Sequence, residues 1–199
     1  MILETVDHYS HSIEIHQDDD PSNPREDDNL GTMVCFHNRY NLGDTDHGYN
    51  FNNYDSWSEL KEAILKDNPK AIILPIYMYD HSGITINTTG FTCNWDSGQI
   101  GFIFISREKI REEYSVKNIS AKRRAKVATY LEGEVETYDK YLRGEIYGFV
   151  VKDSTGEEID SCWGYYDKDY MVEEAKQNTV YAIQNKDLKN GQMKLDIPA

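Results

Sequence analysis

The sequence predicts an α+β fold, with a central, mostly antiparallel or mixed sheet and helices packed on it, and three observations predict it. Continuous apolar runs at 71–79 and 101–105 have the length and β-branched or aromatic content of buried strands. Ser56 followed three residues later by Glu59 opens a helical apolar pattern, and Val127, Leu131, Val135, Tyr138 and Leu142 recur at spacings of 4, 4, 3 and 4. No Pro/Gly/Ser linker and no internal repeat divides the 199 residues. They read as one domain, with 17–31 a mobile acidic loop and 145–199 a C-terminal hairpin plus helix.

From the N-terminus, Ser12-Ile13-Glu14-Ile15-His16 alternates as a half-buried strand does. The stretch from Gln17 to Asn29 joins Pro21 and Pro24 to a charge run that buries little apolar surface, which reads as a loop. Met33 to Phe36 suits a second strand, and the Gly/Asp/Asn-rich segment 41–55 is long enough to be functional. Trp57, Leu60, Ile64 and Leu65 then make a helix that ends at Asn68-Pro69. In the central run, Pro75 lacks a ladder donor, which calls for an edge or a bulge beside it.

Ile84–Asn87 and 101–105 are the next strands, so that 71–105 forms the centre of the sheet. Ser106 caps a short helix, Ser120 caps the long one, and Gly144 stops it. Residues 146–151 and 159–163 flank Ser154-Thr155-Gly156 as a hairpin, and a last helix runs from about Tyr170 to Asn185.

The formal charge of −14 is uneven. Residues 1–100 hold 17 acidic and 5 basic side chains, a balance of −12, against 18 and 16 in the remainder, a balance of −2. Such a field repels phosphates, so no direct nucleic-acid binding is expected, and it attracts a basic protein surface. A solubility role alone is the other reading. No run of about 18 apolar residues and no basic-then-apolar start is present, which predicts neither a membrane span nor export. Cys35, Cys93 and Cys162 are an odd number without a CxxC pair, as expected of a reducing cytoplasm.

The densest polar cluster is Tyr79-Asp80-His81-Ser82-Gly83, with Cys93-Asn94-Trp95-Asp96-Ser97-Gly98-Gln99 after it. Cys93 as nucleophile, His81 as base and Asp80 or Asp96 as orienter are the parts of a thiol hydrolase or transferase. The competing reading gives Asp80, Ser82, Asp96 and Ser97 turn hydrogen bonds and lets Trp95 plug the core. His8, His11 and His16 near Asp18-Asp19-Asp20 mix imidazole with carboxylate, but strand alternation turns His11 away from the other two, so no metal site is expected.

Eight basic residues between Arg107 and Lys126 form the one cationic stretch, interleaved with a single aromatic, Tyr114. A solvated helix face or an internal partner for the acidic half fits it better than a nucleic-acid patch. Neither GxxxxGK[ST], GxGxxG after a strand, HExxH nor GxSxG occurs, and no cofactor is expected.

Leu74-Pro75-Ile76-Tyr77-Met78-Tyr79-Asp80-His81-Ser82-Gly83-Ile84, then Trp95-Asp96-Ser97-Gly98-Gln99-Ile100-Gly101-Phe102-Ile103, and Trp163-Gly164 further on, resemble a family of acidic accessory proteins of bacteriophages and mobile elements. The resemblance covers about residues 70–165 and brings no catalytic assignment. What it implies is context: phage accessory genes often block host defence with acidic proteins. The favoured expectation is an anti-CRISPR or antirestriction type inhibitor, in which Asp18, Asp19, Asp20, Glu26, Asp27 and Asp28 face the basic surface of a host nucleic-acid-binding protein. The cysteine enzyme and a non-catalytic structural or regulatory binding module are the alternatives.

Overall fold

A computed structural model gives the structure of residues 1–93 and 95–189. Strands β1 (Ile2–His8) and β2 (His11–Gln17) come first, then β3 (Thr32–Cys35), α1 (Trp57–Asp67), β4 (Ile72–Asp80), β5 (Ile84–Asn87) and β6 (Ser97–Ile105). Helices α2 (Arg107–Glu113) and α3 (Ala121–Leu142) follow, and β7 (Tyr147–Lys152), β8 (Glu158–Tyr165) and α4 (Lys168–Lys189) close the order. The fold is α+β, as the sequence predicts. Its strands form two four-stranded antiparallel sheets, and the chain forms two compact units, one of Met1–Ser22 with the segment from Gly144 onward and one of Asn23–Arg143.

The first unit orders its strands β1-β2-β7-β8. Alternation turns Ile13 and Ile15 of β2 to one face, where they meet Phe149 and Val151 of β7 in the register Ile13↔Val151 and Ile15↔Phe149. Met171 and Ala175 of α4 close this core at helical spacing. The C-terminal hairpin, β7 and β8, is thus half of a sheet begun by the N-terminal hairpin. Gly148 is required on β7, because a Cβ there would come within 2.2 Å of the Trp163 ring.

The second unit orders its strands β3-β6-β4-β5. Strand β6 is buried from Ile100 to Ile105 because both faces are covered. Ile103 and Ile105 join the cluster that α3 fills with Val127, Leu131, Val135 and Tyr138, while Phe102 and Phe104 join Leu60 and Ile64 of α1. At Gly101 a Cβ would lie 1.9 Å from the Val34 carbonyl oxygen, so only glycine lets β3 pair there. Both expectations for Pro75 hold: β5 pairs only with Tyr77–Asp80, leaving Pro75 unflanked on that side, and the β4–β6 register shifts at Ile76/Tyr77. Ser56 caps α1, its Oγ accepting from the Glu59 N–H at 3.2 Å, while the Glu59 carboxylate accepts from the Asp55 N–H at 2.7 Å. The β5 edge is covered by the buried Asp139 of α3, whose Oδ1 accepts from Ile86 N–H at 2.7 Å and from Thr85 Oγ1 at 2.6 Å.

Two local expectations change. Trp95 does not plug the core: it is 96% exposed, because the turn before β6 carries it away from the sheet. The stretch 17–31 holds a 3-10 turn at Pro24–Glu26 whose Arg25 is buried, so the run contains an internal ion-pair partner as well as solvated acid.

Candidate functional site

The polar cluster of the second unit is built by the ends of β4 and β6. β4 ends at Asp80, His81-Ser82-Gly83 turn the chain, and Ser82 and Gly83 take φ of 58° and 158°. In the following loop, Asn87 Oδ1 accepts from the N–H groups of Thr89 (3.1 Å) and Gly90 (2.7 Å). Tyr79 lies against His81 and Phe91, with ring centroids 5.9 and 5.7 Å away. Ser97 Oγ donates to the Cys93 carbonyl, Asp80 pairs with Arg39, and Gln99 Nε2 donates to the Gly101 carbonyl at 3.2 Å. Asn94 lies outside the described residues.

Cys93, His81 and Asp96 do come together, but in an order that does not suit a thiol nucleophile. Asp96 Oδ2 lies 3.3 Å from His81 Nδ1 and 3.9 Å from Cys93 Sγ. The carboxylate therefore stands where a relay needs the imidazole, and no Cys93–His81 hydrogen bond occurs among the described residues. His81 and Asp96 side chains are 64% and 41% exposed, so water has free access to both. What this arrangement does chemically is fix two turns to each other. Among the described residues no group of three or more His, Cys, Asp and Glu is placed to hold a metal ion.

The acidic candidates divide between the two units. In the first, the half-buried Asp18 accepts at Oδ1 from the N–H of the exposed Asp20 at 3.2 Å, and the exposed Asp19 lies 3.4 Å from the N-terminal amine. In the second, Glu26, Asp27 and Asp28 are exposed, and no ion pair engages them among the described residues. Their neighbour Arg25 points the other way. Its Nε and Nη2 donate to Asp44 Oδ1 and Oδ2 at 2.8 and 3.1 Å, its Nη1 to Glu134 Oε2 at 2.9 Å, and its Nη2 also to the Gly31 carbonyl at 2.8 Å.

The two carboxylates hold backbone in turn: Glu134 Oε1 accepts from Leu30 N–H (2.8 Å) and Gly31 N–H (3.0 Å), and Asp44 Oδ2 from Met33 N–H (2.9 Å). Burial works against the guanidinium's charge, but the bonds to Asp44 and Glu134 outweigh it and raise the Arg25 pKa. Sequence reading missed this network. The one available signal was a lone Arg inside an acidic run beside Gly31, where a Cβ would meet Leu131 at 2.6 Å.

The basic stretch is engaged locally. Arg124 donates to the carbonyls of Lys70 (3.0 Å) and Ala71 (3.2 Å), Lys109 to that of Asn29 (2.7 Å), and Arg123 lies over the Tyr114 ring. Among the described residues no ion pair joins it to the acidic run. Also among them, no helix is long and apolar enough to cross a membrane. No protein-family model, curated protein or solved structure matches the chain.

Proposed function

We propose that the chain is a non-catalytic binding protein that captures the basic surface of a nucleic-acid-binding protein through its own acidic surface. The inward course of Arg25 carries this reading. The only cation of the acidic run is consumed by Asp44 and Glu134, so Glu26, Asp27 and Asp28 are exposed and, among the described residues, in no ion pair. Asp18, Asp19 and Asp20 form a second exposed or half-exposed group, and the whole chain carries −14. Carboxylates held this way offer charge to groups that otherwise hold phosphates, and steer encounter over about a Debye length. With the resemblance to phage accessory proteins, the role is an inhibitor of a host defence effector of anti-CRISPR or antirestriction type, working in the bacterial cytoplasm.

Cysteine catalysis is the weaker reading, because Asp96 occupies the place that the base of a Cys93 nucleophile requires. The test is capture from a bacterial lysate at low and high salt, with a variant carrying Asp18→Asn, Asp19→Asn, Asp20→Asn, Asp27→Asn and Asp28→Asn. Recovery of a nucleic-acid-binding protein that is lost with salt and in the variant is the expected result. Full retention by the variant sinks the mechanism.

A further inference from the structure

The loop between β3 and α1 and the start of β6 enclose an open cleft of about 910 Å³ in the second unit, within the size range of ligand sites. One wall is aromatic: Phe51 stands 5.4 Å from Phe36 and 4.3 Å from Trp57, centroid to centroid, and all three rings are half-buried. His37 and Tyr40 also line the cleft, stacked at 5.1 Å with 12° between their planes.

The polar lining is uncharged in effect. Among the described residues no Lys or Arg lines the cleft, and the one carboxylate that does, Asp44, is taken by Arg25 and the Met33 N–H. A phosphate or carboxylate ligand would find no counter-charge here, and a cation no available carboxylate. What the lining offers instead is neutral hydrogen bonding. The side-chain amides of Asn38, Asn41 and Asn52 are exposed and have no partner among the described residues. Gln99 spends its Nε2 on the Gly101 carbonyl, which leaves Oε1 as an acceptor.

His37 Nδ1 accepts from the Arg39 N–H (3.3 Å) and His47 Nδ1 from the Tyr49 N–H (3.0 Å), which leaves Nε2 of each ring as the donor. Burial keeps His47 below its ordinary pKa, against the opposing pull of Asp44, and so favours the neutral form.

Aromatic faces beside amides and imidazole N–H groups, with no unbalanced charge, match a ring that has C–H faces and a hydroxyl rim. We propose that this cleft binds a neutral carbohydrate through the Phe36/Phe51/Trp57 wall and the amides of Asn38, Asn41 and Asn52. Its ligand differs in charge from the partner of the acidic residues, and the two are distinguishable because binding of a neutral ligand is insensitive to ionic strength.

The test is a titration of the full chain, followed by the NMR signals of the Trp57 indole N–H and the His47 ring, with methyl glycosides of common hexoses and N-acetylhexosamines and their disaccharides. The expected result is saturable shifts by at least one saccharide with a dissociation constant of about 1 mM, unchanged by salt. Asn52→Ala and Asn38→Ala, each shown to be folded by circular dichroism, should weaken binding about tenfold, the loss of one good hydrogen bond. Silence from every saccharide, saturation by free nucleosides instead, or full affinity in both Asn variants would overturn the proposal.

Discussion

Arg25 Nη1 donates to Glu134 Oε2 at 2.9 Å across 109 residues of chain, and the same guanidinium holds Asp44 from its other side. A charge run that composition reads as plain solvated loop therefore has an inner face and an outer one. The inner face ties the 3-10 turn, the loop after β3 and α3 together. The outer one leaves Glu26, Asp27 and Asp28 in solvent.

Removing the guanidinium isolates two carboxylates that are 23% and 16% exposed. Arg25→Ala should therefore destabilise the second unit by about 3–5 kcal/mol. Glu134→Gln keeps a hydrogen-bond acceptor and should cost about 1–3 kcal/mol. Urea denaturation monitored by tryptophan fluorescence measures both. Equal and negligible effects would mean the network is not structural.

His47 gives the second unit a pH dependence of defined sign. Burial lowers its folded pKa from the ordinary value near 6.5, so the unfolded state binds more protons in the window just below that value. The stability it contributes is present above about pH 6.5 and falls as the pH drops toward the folded pKa. Unfolding midpoints measured from neutral to mildly acidic pH should decline, and His47→Gln should flatten this part of the decline. A steeper slope in the variant would contradict the assignment.

The cysteines should react in order of access. Cys35 is buried and its thiol pKa is pushed up to about 12 by burial, while Cys93 is half-buried and Cys162 exposed. Mass spectrometry after treatment of the native chain with a disulfide-exchange reagent should find Cys162 labelled first and Cys35 labelled only on unfolding. Early labelling of Cys35 would mean that the floor of the cleft opens readily.

Asp139 closes the β5 edge, so Asp139→Ala leaves the Ile86 N–H and the Thr85 hydroxyl without their acceptor. A loss of about 1–3 kcal/mol and faster hydrogen exchange at the Ile86 amide are expected. An unchanged exchange rate at Ile86 would show that another group covers the edge.

What could be read in advance was what local physics dictates. The stripe of Val127, Leu131, Val135 and Tyr138 is buried as its spacing requires, Ser56 and Ser120 cap their helices, and Pro75 sits beside a bulge. Alternation in Ile13 and Ile15 gives their face but not their partner, and pairing with Phe149 and Val151 depends on a closure across more than a hundred residues that no local pattern encodes. The same limit hid Arg25: burial of one cation follows from Asp44 and Glu134 being near in space, which charge counting along the chain does not reveal. Cys93 and His81 both approach Asp96, and their order around the carboxylate is a matter of geometry alone.

Competition at a captured partner tests the central claim most directly. Labelled duplex nucleic acid bound to that partner should be displaced by this chain, with displacement weakening as salt rises and in the variant carrying the five Asp→Asn changes. Simultaneous binding of nucleic acid and chain, or displacement undiminished by salt and by the five substitutions, would contradict capture through the acidic surface.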